Sequence, residues 1–357
     1  MSSTSVAANS TLDLSKESQT LIRASAVNMS VFLDHVRKYQ GAERAKTEFS
    51  GAAFKSSIDS LATAIDKEVT RFLIACKPPA LDREIKELSP KINAGAFQLV
   101  QLLNTVPKTA GSNYLDSVRR AIARTILSLI MLFNSFIDDK VNVEEAVVAE
   151  LTFLNVSGIF WENCKALGQI PKDNRAAVLS LWTDSVSGLV KDAAEELSES
   201  LDEAKDAADG GKEGDEDDNE DDDDDMDDFN PEIPADRVEQ GRKMQKLVLI
   251  AKHTCDKVGL RCIRDCAQLD DERTVWLDRL LDFGKPVQAA VDELISTLFI
   301  EGDDWAKQME IERAVLTEAL EKLVTLAITF VDDSHLPWFE MCRKQLEATK
   351  NVTSVVR

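Results

Sequence analysis

The acidic run from Glu213 to Asp228 constrains this chain more than any other stretch. Thirteen of its sixteen residues are Asp or Glu, and among them only Met226 suits a core. Such a block repels itself. It has too little apolar surface to offset the entropy lost on ordering, so it is expected to stay disordered. It divides the 357 residues into a longer first part and a shorter second part, and both parts read as helix. The expected fold class is all-α: antiparallel helical bundles forming two helical bodies separated by a disordered acidic linker. The expected boundaries are a flexible tail over 1–12, an N-terminal helical bundle over 13–204, the linker over 205–233 and a C-terminal helical bundle over 234–357.

Charge narrows the choice of partner. The net charge is −22, and the run alone supplies 13 negative charges, leaving −9 for everything else. The folded bodies are thus mildly acidic. A phosphate-backbone binder needs clustered Lys and Arg, so direct nucleic-acid binding is not expected. Docking on an anionic membrane is not expected either. The most apolar segment, 121–137, is too short and is interrupted by Arg124 and Asn134, so it reads as a buried helix and not a membrane span. The polar start, Met1-Ser2-Ser3-Thr4-Ser5, lacks the apolar core of an export signal. Six dispersed cysteines then read as reduced thiols of the cytosol or nucleus.

Apolar residues recur with helical spacing in nearly every segment, and Gly and Pro are scarce. The first helix, from about Ser15 to Tyr39, is expected to turn Leu21, Val27, Val31 and Phe32 inward. The second carries Ile58, Leu61, Ile65, Val69 and Phe72, and ends before Pro78-Pro79. The third is expected to begin at Ser89-Pro90, a cap followed by a first-turn proline, and to carry Ile92, Phe97, Val100 and Leu103. The fourth, capped by Ser112, has the stripe Leu115, Val118, Ile122, Ile126, Leu129, Phe133 and Phe136. It is apolar on further faces and belongs at a bundle centre. The fifth spans about 143–167. The sixth, with Asp173 as its cap, carries Val178, Trp182, Val186, Leu189, Ala193, Leu197 and Leu201. The seventh covers about 235–267. In the eighth, which includes Leu277 to Leu298, Pro286 is expected to kink or split the helix. The ninth carries Leu316 to Phe330, and the tenth begins near Leu336-Pro337.

No catalytic constellation emerges. His253, Cys255, Cys262 and Cys266 form the sharpest local pattern, with Cys262 and Cys266 one helical turn apart. Structural zinc sites usually draw CxxC pairs from turns, and none is present. These cysteines also fall on the apolar stripe of Ala251 and Val258, so they read as small core thiols with no metal. His35, His253 and His335 lie far apart and read as surface residues. The carboxylate pairs Asp138-Asp139, Asp303-Asp304 and Asp332-Asp333 sit at predicted helix ends, where solvated acids are ordinary. There is no glycine-rich phosphate loop. No catalytic residue, cofactor or metal is expected, and the chain reads as a non-enzyme. The acidic run reads as a solvated tether that tunes encounters, and otherwise as a binder of basic proteins.

One segment looks familiar: Gln169, Ile170, Pro171, Lys172, Asp173, Asn174, Arg175, Ala176 and Ala177, followed by Val190-Lys191-Asp192-Ala193 and Glu195-Glu196. It resembles the cyclin-D-binding protein family. Looser echoes are Val106-Pro107-Lys108 with Gly111, Leu115 and Val118, and Val291-Asp292-Glu293-Leu294. The resemblance implies an all-helical, non-enzymatic regulator found in cytoplasm and nucleus. It implies binding to a cyclin and to helix-loop-helix transcription regulators, with restraint of cell-cycle progression. Composition alone leaves two other classes open, an acidic chaperone for basic nuclear proteins and a talin- or vinculin-like helical-bundle adaptor.

Overall fold

The computed structural model describes residues 14–43, 49–77, 81–143, 152–209, 233–266, 269–302 and 304–353. The tail 1–12, the acidic run and most of the expected linker 205–233 lie outside them. Among the described residues every regular element is a helix, apart from one β-bridge between Ala42 and Pro107.

The chain divides into two compact units, with the boundary between Ala177 and Val178. The first contains α1 (Lys16–Lys38), α2 (Gly51–Ala75), α3 (Asp82–Leu103), α4 (Ser112–Asn134) and α5 (Phe153–Leu167). Helix α1 packs on α3 and α4, α2 packs on α3 and α5, and α4 packs on α5. The α4 stripe from Leu115 to Phe133, with Phe136 just beyond it, is buried as its spacing predicts. Phe133 and Phe136 close on Phe72 of α2, with ring centroids 5.0 and 5.5 Å away.

The inward face of α1 differs from expectation. Ile22, Ala26, Met29, Leu33 and Val36 are buried, whereas Val27 and Val31 face solvent. Both sets have helical spacing. The buried set includes Ala26, beside Ser25, and these small residues permit close helix approach. Helix α3 starts seven residues before Ser89, so Pro90 lies inside it. Pro90 has no amide to donate to the Lys86 carbonyl, and the neighbouring Ile85 carbonyl accepts from the Ser89 hydroxyl at 2.8 Å. Ile92, Val100 and Leu103 are buried as expected, but Phe97 is 46% exposed.

The second unit takes in most of α6 (Asn174–Trp182), then a π-helical turn (Thr183–Ser187), α7 (Gly188–Asp209), α8 (Val238–Lys257), a second π segment (Val258–Arg264), α9 (Asp271–Ser296), α10 (Trp305–Ile328) and α11 (Leu336–Thr353). Residues 178–204, expected in the N-terminal bundle, therefore belong to the later unit. Val178, Trp182, Val186, Leu197 and Leu201 all bury in its core, and α7 packs on α8 and α9. The acidic segment thus connects two helices of one unit.

The π turn also shifts the stripe. Val190 and Ala194 are buried in place of the expected Leu189 and Ala193, because a π turn advances the face by more residues than an α turn. Pro286 does not split α9, which is assigned as a single helix over Asp271–Ser296. Arg237, largely buried, donates to the carbonyls of Leu298 and Ile300 at 2.8 and 2.6 Å, and its guanidinium stacks over Trp305. It thereby satisfies carbonyls beyond the C-terminus of α9.

Candidate interaction surfaces

The segment 169–177 is a structural junction of the first unit. Ile170 and Ala177 are buried, and Asp173 caps α6 by accepting from the Ala176 amide at 2.8 Å. Asn174 is buried, and its Oδ1 accepts from the Tyr114 amide at 3.0 Å. Helix α4 was expected to be capped by Ser112. Ser112 is instead its first residue, and the side-chain acceptor for a free first-turn amide arrives from sixty positions away. Gly111, at φ +101°, lets the chains meet there, since a Cβ would overlap the Asn174 carboxamide. A Cβ on Gly51, at the start of α2, would likewise overlap the Lys172 carbonyl oxygen. Gln169 and Lys172 are exposed, while Pro171 and Arg175 are half-buried. The segment holds helix starts together.

The remaining candidate chemistry is dispersed. Cys255, Cys262 and Cys266 are buried, whereas His253 is exposed. Burial raises the thiol pKa of Cys255 and Cys262, and it raises those of Cys76 and Cys164 to about 12 and about 11. His35 is exposed and pairs with Asn104 Oδ1 at 2.9 Å. Asp138, Asp139, Asp304, Asp332 and Asp333 are exposed, and Asp303 lies outside the described residues. Among the described residues no group of three or more His, Cys, Asp or Glu is placed to hold a metal ion. Among the described residues no helix is long and apolar enough to cross a membrane.

What the surface does offer is partly exposed apolar side chains on helix faces. In the first unit, Val27 and Val31 of α1 lie one turn apart, and Phe97 of α3 packs against Phe32 at 5.6 Å. In the second, α9 and α10 flank a groove of about 690 Å³ that includes Val275, Phe283 and Phe330. Arg273 and Arg279 lie over the Phe330 and Phe283 rings. Glu272, Glu318, Arg279 and Lys322 also line the groove, so its charge is mixed. Such a groove suits side chains of a partner helix. Periodicity alone did not reveal it: Phe330 continues the apolar spacing from Leu316 and was expected inside, yet it is partly exposed, and Val275 stands alone among Asp271, Glu272, Asp278 and Arg279 on the outer face of α9.

Comparison with known proteins supplies the context. Residues 57–203 match the family model described as Grap2 and cyclin-D-interacting, N-terminal. A cyclin-D1-binding protein 1 homolog of Danio rerio is 27% identical over 91% of this chain and 92% of its own length. The chain is related to the cyclin-D-binding proteins. Cyclin-D1-binding protein 1 of Bos taurus is 29% identical over 54% of the chain and 51% of its own length. The homolog of Xenopus laevis is 31% identical over 49% of the chain and 51% of its own length. The resemblance expected from 169–177 therefore extends far beyond that segment. The family match also crosses the division at Ala177 and Val178 and ends within α7. The relatives' names point to a role in protein interaction.

Proposed function

We propose that this protein is a non-enzymatic regulatory protein that binds a D-type cyclin and helix-loop-helix transcription regulators and thereby restrains cell-cycle progression, acting in cytoplasm and nucleus. The observation that carries this reading is the similarity to the Danio rerio homolog along nearly the full length of both chains. The physical character of the surface agrees with it: apolar side chains are offered along helix faces, where a partner helix can lay an apolar stripe. The test is direct binding of the purified full-length chain to a purified D-type cyclin and to a helix-loop-helix domain, each by calorimetry, with a cyclin of another class as control. Saturable binding to the D-type cyclin, with weaker binding to the control, is expected. Absence of binding to both candidate partners at micromolar concentrations overturns the reading.

A further inference from the structure

A second groove in the same unit lies between α7 and α9 and has a different character. It encloses about 420 Å³. Ile295 and Phe299, both partly exposed, contribute its apolar lining. Its rim carries Glu196, Glu199, Glu203 and Asp292, and all four are exposed. No Lys or Arg lines it, in contrast to the α9–α10 groove. Among the described residues none of the four has an ion-pair partner, whereas nearby Glu195 pairs with Lys252 and Lys191, and Asp202 with Arg242.

Spacing sets the shape of what fits. Glu196, Glu199 and Glu203 step by 3 and 4 along α7, so the rim follows the helix for two turns, roughly 10 Å. On α9, Asp292 and Ile295 are three residues apart and face the same channel. A straight channel of two turns, apolar within and acidic along its edge, complements a helix with an apolar stripe flanked by cations. Although its surface stays in contact with solvent, partial desolvation at the groove raises the Asp292 carboxyl from its ordinary value, and Glu196 and Glu293 add to that rise against the opposing hydrogen bond from Gln288. The channel is thus over-supplied with negative charge, which an arriving cation relieves.

We propose that the α7–α9 groove is a docking site for a cationic amphipathic helix of a partner protein, with apolar anchors over Ile295 and Phe299 and Lys or Arg against Glu196, Glu199, Glu203 and Asp292. The proposal holds whichever cyclin or transcription regulator the protein binds elsewhere. The acidic run follows α7 in the chain, so its share of any attraction for a cation has to be separated from that of the groove.

The test uses the full-length chain and a fluorescein-labelled 18-residue model helix of leucine and lysine, with leucine at i, i+3, i+4 and i+7. Binding is read by fluorescence anisotropy at physiological salt, beside a helix with glutamate in place of lysine. The lysine helix is expected to bind saturably and the glutamate helix not to bind. The triple variant Glu196→Lys, Glu199→Lys and Glu203→Lys is expected to weaken binding about tenfold or more. Replacing 213–228 by a neutral linker of equal length is expected to change the dissociation constant less than about threefold, with a larger effect on association rate. If the triple variant does not fold, Ser296→Arg, exposed on α9, tests the groove alone and is expected to cost about threefold. Unchanged affinity in a folded groove variant overturns the proposal. So does equal binding of the glutamate helix, or a loss on replacing the run that matches the groove variant, which makes the run itself the site.

Discussion

The indole N–H of Trp182 donates to the backbone carbonyl of Cys255 at 3.1 Å. Both residues are fully buried, and each lies beside a π-helical segment: Thr183–Ser187 follows the tryptophan, and Val258–Arg264 begins three residues after the cysteine. Gly259 and Gly284 give the ring room, since a Cβ on Gly284 would overlap it. The centre of the second unit is built around one large side chain, with backbone irregularity and missing side chains fitted to it.

Trp182→Ala is therefore expected to destabilise the second unit by about 3–5 kcal/mol. Trp182→Phe removes the indole donor to the Cys255 carbonyl, which keeps the Val258 amide, and leaves part of the ring's space unfilled, so it is expected to cost about 1–3 kcal/mol. Gly284→Ala is expected to cost about 1–3 kcal/mol by overpacking. Urea unfolding followed by tryptophan fluorescence and circular dichroism checks all three. A Gly284→Ala protein as stable as the parent refutes the packing account.

The Asn174 contact predicts a local effect in the first unit. Asn174→Ala removes the acceptor for the Tyr114 amide and is expected to cost about 1–2 kcal/mol. Gly111→Ala is expected to be worse, because it combines a left-handed φ with overlap on the Asn174 carboxamide. Native-state hydrogen exchange should show the first turn of α4 losing protection before the centre of that helix does.

Ile126→Asp tests whether α4 is central. Ile126 is fully buried in mid-helix, so an unpaired carboxylate there is expected to cost at least about 3–5 kcal/mol. A thermal melt within a degree or two of the parent contradicts that placement.

The thiols predict a pH response. Burial disfavours the thiolate, so at pH 8 Cys76, with its pKa near 12, is ionised in about one molecule in ten thousand. All six cysteines are buried. Disulfide-exchange reagents are expected to label them slowly in the native protein and rapidly in denaturant. Because these folded pKa values are raised, their stabilising effect is full below about pH 8.5, the value for an unfolded thiol, and declines as pH rises toward 11 to 12. Metal analysis of the purified protein is expected to find no stoichiometric zinc. One zinc per chain, lost on replacing Cys262 and Cys266, contradicts the core-thiol reading.

Much of this fold is legible in the sequence, and the failures have identifiable causes. The stripe of α4 is correct at every position because its apolar residues are large and evenly spaced. In α1, β-branched Val27 and Val31 outweigh Ala26 in a reading by hydrophobicity, although the small residue is what lets helices approach. The π turn after Trp182 leaves no composition signal, so a regular helical reading drifts by one residue to Leu189 and Ala193. The division at Ala177 falls inside a helix, with no Gly, Pro or charge change to mark it. The Asn174–Tyr114 contact joins positions sixty apart, which no local pattern records. The grooves depend on which helices adjoin, and that too is a tertiary outcome.

The position of the acidic segment has a practical consequence. Residues 210–232 join α7 to α8 within one unit, and α7 is held there by buried side chains such as Val190, Leu197 and Leu201. A protease that cuts between 210 and 232 breaks the covalent link and leaves that packing untouched, so the two fragments should remain associated and co-elute. Expressing residues 234–357 alone, as the charge pattern invites, removes α6 and α7, Trp182 with them, and leaves the core they fill open to water. The most conspicuous seam in the sequence is thus a place where the chain can be opened without the protein coming apart, and a poor place to divide it.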